Sequence, residues 1–224
     1  MVDANARRQR AGRRILFAMP MKDVRLAKTR LAPILDDDRR ERVAYHMFED
    51  SQRFFADRFP SVDRLVVTPS ERIAGAARAL GAWALVEPTT AGLNAAARRA
   101  RLWATERRYD GIVIIPCDIA FWVAEEIEEL VESGNENDVV VAPSIDGGTN
   151  ALSLRLPSTL PFRYGPQSAD RHLAEARARG LTTAQCHLAF LSHDLDTPED
   201  LAAFGRTNAG MPEADHDRHC GAQH

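Results

Sequence analysis

The residues Gly111-Ile112-Val113-Ile114-Ile115-Pro116-Cys117-Asp118 decide the fold. The run from Gly111 to Ile115 has no polar face, as expected of a strand covered on both sides in a parallel sheet. Only Pro116 and Cys117 separate it from a carboxylate. Asp138–Ala142 (DVVVA) is a second run of this kind. Upstream, Arg14–Ala18 (RILFA), Arg64–Thr68 (RLVVT) and, more weakly, Trp83–Val86 are further strands. Between them lie helical patterns. Asp36–Arg58 carries Val43, Met47, Phe48, Phe54 and Phe55 at helical spacing. Glu71–Leu80 follows a capping Ser70, and Thr90–Arg108 is rich in alanine and arginine.

Downstream, Trp122–Val131 predicts a helix with an acidic face, and Ser168–Arg179 one that ends at Gly180. Ala151–Leu156 (ALSLRL) alternates, which predicts a strand with one wetter face. A last strand is expected around Ala184–Leu191. A short helix is expected over Thr197–Phe204, opened by Thr-Pro-Glu-Asp. Strands alternating with helices imply βαβ units and a mostly parallel sheet covered on both faces. Such sheets bind ligands beyond the carboxyl ends of their strands, so the loops after RILFA, GIVII and DVVVA become the places to search.

A chain of 224 residues predicts one domain: a basic flexible arm (1–13), the domain itself (14–205) and a polar, disordered tail (206–224). The net charge of -3 argues against broad nucleic-acid binding. No apolar run approaches the ~18 residues of a membrane span. The arginines of Ala6–Arg14 precede an apolar stretch, Ile15–Met21, that contains Pro20 and stops at Lys22-Asp23. It is too short for a secretory signal. Cys117, Cys186 and Cys220 are too scattered for a disulfide framework and suit a reducing cytoplasm. His216, His219, Cys220 and His224 in the tail read as adventitious.

Of 29 basic residues only Lys22 and Lys28 are lysines, and both fall in the loop after the first strand. With Arg25 and Arg30 they place four cations where a triphosphate could be held. The lysine pattern points either to a tight phosphate site or to chance in an arginine-rich chain. The loop lacks the glycines of a Walker A motif. Gly92-Leu93-Asn94 opens a helix, whose free N–H groups favour an anion. Asp118 suits Mg²⁺ bound to nucleotide phosphates, or else caps the next helix. Cys117 has no nearby His to make it a nucleophile. Asp146-Gly147-Gly148-Thr149-Asn150 is a tight turn that either brings backbone close to a ligand or only joins two strands. Gly165-Pro166-Gln167-Ser168 opens a helix, with Ser168 as a phosphate ligand or a cap, and Asp196 is likewise a cap or a second metal ligand.

In this order the motifs resemble one family. They run Pro20-x-Lys22, Ala27-Lys28-Thr29-Arg30-Leu31-Ala32, Gly92-Leu93-Asn94 and Pro116-x-Asp118. Then come Asp146-Gly147-Gly148-Thr149-Asn150-Ala151-Leu152, Gly165-Pro166-x-Ser168 and Asp196-Thr197-Pro198-Glu199-Asp200-Leu201. The chain is similar, over residues 15–205, to the phospholactate guanylyltransferases of coenzyme F-420 biosynthesis. The resemblance implies a single-domain α/β, Rossmann-like nucleotidyltransferase fold with a mostly parallel central sheet. It also implies transfer of GMP from GTP to 2-phospho-L-lactate, phosphoenolpyruvate or 3-phospho-D-glycerate, with release of pyrophosphate.

By that resemblance Lys22, Lys28 and Arg30 face the triphosphate, and Asp118 and Asp196 hold Mg²⁺. Pro20, Gly92, Asn94 and Pro116 lie near the nucleotide. Thr149, Gly165 and Ser168 bind the acceptor phosphate. The implied partners are GTP and a small phosphorylated acid, with neither nucleic acid nor membrane; a homodimer stays open. Two departures stand out. Gln167 replaces a glycine usual in the family, and Ile119-Ala120 replaces Leu-Pro. The residues leave other readings open: another phosphorylated acceptor such as molybdopterin or a sugar phosphate, a nucleotide-binding module without turnover, or nucleic-acid binding through the arm.

Overall fold

The computed structural model describes residues 13–88 and 91–202. The arm through residue 12, the start of the expected helix at Thr90, its counterpart's end at Phe204 and the tail from 206 lie outside the described residues.

The fold is a seven-stranded sheet in the order β3-β2-β1-β4-β6-β5-β7. Its strands are β1 (Ile15–Pro20), β2 (Asp63–Thr68), β3 (Trp83–Val86), β4 (Gly111–Ile114), β5 (Val139–Pro143), β6 (Thr149–Arg155) and β7 (Thr183–Gln185). The helices are α1 (Asp37–Arg58), α2 (Glu71–Ala79), α3 (Leu93–Glu106), α4 (Ala124–Glu136) and α5 (Ser168–Ala178). Only β6 runs against the rest, pairing antiparallel with β4 and β5. The mostly parallel sheet expected from the sequence is present.

Alternate residues of the strands feed two apolar layers. Phe17, Met19, Val66, Val113 and Ile115 meet α1, α2 and α4 on one face. Leu16, Ala18, Leu65, Val67, Ile112 and Ile114 meet α3 and α5 on the other. Phe17, Phe48 and Phe55 are fully buried, and the Phe17 and Phe55 rings lie 4.7 Å apart. Each such ring contributes roughly 1.5–3 kcal/mol of burial. α3 turns small residues to the sheet, with Ala96, Ala97 and Ala100 buried, so its backbone comes close to the strand ends.

Several boundaries differ from expectation. β1 extends to Pro20. α3 begins at Leu93, because Gly92, at φ 81, turns the chain into the helix. α4 begins at Ala124, and Trp122 instead packs on Phe54 and Phe55. β6 has no wetter face: Thr149 to Leu154 are all buried, since β4 and β5 flank it and helices cover it. Its Ser153 hydroxyl faces Gly134 of α4, where an added Cβ would come within 2.8 Å. The expected last strand shrinks to Thr183–Gln185, and Leu188 and Leu191 enter the core from the loop and turn that follow it. The Asp146-Gly147-Gly148 stretch is indeed the turn between antiparallel β5 and β6.

Candidate active site

The chain moves from β1 to β3 in one direction across the sheet and returns to β4 on the other side of β1. This reversal opens a crevice at the strand carboxyl ends. A cavity of about 350 Å³ lies there. Pro20, Lys22, Lys28, Gly92, Pro116, Asp118 and Asp196 line it, joined by Glu87, Leu93, Met47 and Val67.

The centre of the site is built from three separate segments. After β1 the chain makes two 3-10 turns, Val24–Leu26 and Thr29–Leu31, anchored by buried Val24 and Leu31. Lys28 joins them in the left-handed region, at φ 52. A non-glycine residue there costs on the order of 1–3 kcal/mol. That backbone directs its side chain inward: Lys28 is 6% exposed. Its Nζ donates to Asp118 Oδ2 at 3.1 Å and to Asp196 Oδ1 at 2.9 Å. Burial works against the ammonium charge, but the two carboxylates outweigh it and hold its pKa above the ordinary lysine value.

Asp118 and Asp196 meet because residues 118–120 pair with 193–195. Leu195 N donates to Asp118 O, Ala120 N donates to His193 O, and Ile119 bridges Asp194 in antiparallel fashion. Neither carboxylate is a cap. α4 starts after Val123 without a side-chain cap. The helical turn from Pro198 is capped by Thr197, whose Oγ1 accepts from Asp200 N while Asp200 Oδ2 accepts from Thr197 N. This reciprocal box leaves the Asp196 side chain free for the site.

Sequence reasoning missed Asp194. Burial, with Asp118 and Asp196 nearby, pushes its carboxyl up to about 6. The signal was present: Asp194 stands two residues before Asp196, the spacing that places side chains on one side of an extended chain. Cys117 is buried, and burial pushes its thiol up to about 12, which removes it as a nucleophile.

Arg30, 69% exposed at its side chain, lies outside the cavity wall with Nη1 3.7 Å from Asp196 Oδ2. It also acts on Asp146. Hydrogen bonds from Ser144 and Gly148, then the Arg30 charge, hold that carboxyl below its usual range. Arg30 thereby links the Lys28 cluster to the β5–β6 turn.

The remaining expected residues stand apart from the cavity. Asn94 is turned to the chain: its Nδ2 donates to Tyr164 O, and its Oδ1 accepts from Tyr164 N at 2.9 Å. Both ends of the amide are used, so Asn94 fastens the start of α3 to the segment before α5. Thr149 and Ser168 are also occupied. Their hydroxyl oxygens lie 2.9 Å apart, and Ser168 is 1% exposed. Gln167, at φ 53, holds the cap position of α5, so Ser168 is a first-turn residue and no cap. The Ser168 and Ala169 amides donate to Gly165 O and Gly147 O. In this arrangement the Thr149–Gly165–Ser168 cluster is closed on itself.

His172 completes that cluster. Its Nε2 accepts from Arg163 N at 2.9 Å. The proton therefore sits on Nδ1, 3.2 Å from Thr149 Oγ1. Burial first, then Arg171 and Arg163, lower its pKa to about 4.

Two carboxylates flanking a cation at a strand edge suit Mg²⁺, which takes one or two protein carboxylates and completes its shell with phosphates and water. Among the described residues no three His, Cys, Asp or Glu side chains form an all-protein cage. No helix among them is long and apolar enough to cross a membrane.

The geometry has relatives. The family described as "Guanylyl transferase CofC like" matches residues 14–205. A 3-phospho-D-glycerate guanylyltransferase of Colwellia psychrerythraea is 38% identical over 186 residues, covering 83% of this chain and 88% of its own. A phosphoenolpyruvate guanylyltransferase of Rubrobacter xylanophilus is 36% identical, covering 84% and 92%. A 2-phospho-L-lactate guanylyltransferase of Methanothermobacter thermautotrophicus is 36% identical, covering 78% and 77%. Among solved structures, a protein assigned as a nucleotide-diphospho-sugar transferase from Desulfovibrio desulfuricans G20 superposes with a TM-score of 0.72 at 17% identity, covering 92% of this chain and 91% of its own. At that identity it speaks for the fold alone. With a nucleotidyltransferase-type sheet, a carboxylate–lysine cluster at its switch point and a family match over nearly the whole described domain, the chain belongs to the CofC-like guanylyl transferases.

Proposed function

We propose that the protein transfers GMP from GTP to a three-carbon phospho-acid and releases pyrophosphate, as a cytoplasmic step of coenzyme F-420 biosynthesis. The candidate acids are 3-phospho-D-glycerate, phosphoenolpyruvate and 2-phospho-L-lactate, the three named in its relatives. The observation that carries the reading is Lys28 held between Asp118 and Asp196 at the end of β4. Asp118 and Asp196 would hold Mg²⁺, which supplies charge neutralisation on phosphate oxygens.

The chain's own groups then do the rest. Lys28 and Lys22 stabilise the pyrophosphate as it leaves. Arg30 offsets the repulsion between the two anionic substrates. An acceptor phosphate oxygen attacks the α-phosphorus in line. A phosphate monoester is already ionised near neutral pH, so no general base is needed. The acceptor phosphate would be received at the Thr149–Gly165–Ser168 cluster by displacing the hydroxyl contact that closes it, on the side linked to the nucleotide through Arg30. The two described cysteines are free thiols, which suits the cytoplasm.

The test is pyrophosphate release from GTP and Mg²⁺ with each of the three acids, plus a sugar phosphate and molybdopterin, with products identified by mass. A guanylylated three-carbon acid is expected. Turnover only with the other acceptors would overturn the reading.

A further inference from the structure

We infer that Glu87 reads the base of the nucleotide, its carboxylate accepting the N1–H and N2–H donors of guanine. This inference rests on the reading of GTP as substrate. Glu87 follows β3 directly, at the same edge of the sheet as the lysine–aspartate cluster, and it lines the same cavity. It is 4% exposed, yet its Oε1 has no hydrogen-bond partner among the described residues. Arg99 Nε forms an ion pair with that oxygen at 3.3 Å but lies outside hydrogen-bonding geometry. A buried carboxylate oxygen whose ion pair supplies no hydrogen bond is left short of the donors it had in water, which costs stability. Its presence in a cavity wall calls for a ligand that donates to it.

The spacing suits a nucleotide. β3 and β4 are three strand intervals apart in the sheet, roughly 14 Å at ~4.8 Å each. An extended nucleoside triphosphate bridges such a span, with its base at Glu87 and its phosphates at Lys28. Met47, Val67 and Leu93 give the cavity apolar walls for a planar ring. Glu87 forms no group of three ligating side chains with Asp118 and Asp196, so it does not belong to the metal end.

Base chemistry selects guanine. A carboxylate only accepts hydrogen bonds. Guanine presents two adjacent donors, N1–H and N2–H, on one edge. Adenine and cytosine each present a ring-nitrogen acceptor there, which would repel the carboxylate. Uracil presents a single donor between two carbonyls.

The experiment is equilibrium binding of GTP, ITP and ATP, each with Mg²⁺, to the full chain and to Glu87→Gln and Glu87→Ala. No acceptor acid is needed. ITP lacks only the N2 amino group, so the parent should bind it roughly ten- to a hundredfold more weakly than GTP. Glu87→Gln keeps one acceptor and turns a donor on the other guanine donor. It should shrink the GTP-to-ITP ratio to within about threefold. Variants that keep the parent's ratio overturn the inference. A parent that binds ITP as tightly as GTP overturns it even if neither variant folds. Selective GTP binding that depends on Glu87, with no transfer to any acid, would fail the proposed reaction and leave the inference standing.

Discussion

Lys28 Nζ lies 3.1 Å from Asp118 Oδ2 across ninety positions of sequence. The contact exists because Lys28 accepts a left-handed backbone and because β1 and β4 are neighbours in the sheet. Asp196 closes the other side of the ammonium at 2.9 Å. Counting Arg30, two carboxylates face two cations before any substrate arrives.

Asp118→Asn keeps the shape of the side chain and removes its charge. Lys28 retains Asp196 as a partner, so the melting temperature should move by only a few degrees. Pyrophosphate release should fall at least a hundredfold, on the order of the loss from removing one preorganised electrostatic group. Activity within threefold of the parent would remove Asp118 from the catalytic machinery.

Lys28→Arg preserves charge but not shape. The lysine side chain is 4% exposed in its socket, and a guanidinium is a wider planar fork. Turnover should fall by tenfold or more, with a lower melting temperature as well. A fully active variant would show that the socket accepts any cation and that the rarity of lysine in this chain is chance.

His172 makes stability depend on pH. Its pKa is about 4 in the folded protein and about 6.5 when unfolded. Between those values the unfolded chain binds more protons, so stability rises with pH. Its contribution is complete above about pH 6.5 and is lost as pH falls through about 4. The full span corresponds to on the order of 3 kcal/mol. Melting curves of the parent and of His172→Gln between pH 7 and pH 4 check this. Equal slopes for the two proteins would contradict it.

Ser168→Ala removes one hydroxyl from the Thr149–Ser168–His172 network. If this cluster receives the acceptor phosphate, KM for the acid should rise roughly ten- to a hundredfold, with KM for GTP little changed. Equal weakening of both substrates would place the acceptor elsewhere.

Gln167 sits at φ 53, and its Oε1 would lie 2.7 Å from a Cβ added at Gly147. It therefore covers the β5–β6 turn beside the Thr149–Ser168 cluster. Gln167→Gly relieves the left-handed strain and uncovers that turn. The ranking of kcat/KM among the three acids should change; an unchanged ranking would mean that Gln167 does not select the acid.

The order of strands and helices was legible because each apolar run carries its own period, from GIVII at β4 to the α1 stripe of Phe48 and Phe55. Asp118 was legible too, since a carboxylate just beyond a buried strand must emerge at the sheet edge. β6 misled because a period-2 pattern records which residues are polar and cannot register that β4, β5 and α4 cover Ser153. Asn94 and Ser168 show a related limit of local reading. Both lie at helix N-termini, where a polar side chain can turn to a ligand or to neighbouring chain, and only the packed structure shows their contacts with Tyr164 and Thr149.

The sequence by itself determined the alternation of elements, the sheet edge that carries the cavity and the family. Those follow from local periodicity and from residue types in fixed order. Only the tertiary structure decided that Lys28 is shared by two aspartates, that Asp194 is raised beside them and that Glu87 is buried with an oxygen that no hydrogen bond satisfies. Each depends on segments distant in the chain being packed together, and on the loss of water that the packing imposes. Charge pairing, desolvation and unmet hydrogen bonds are properties of that assembled environment, and a residue's place in the sequence does not contain them.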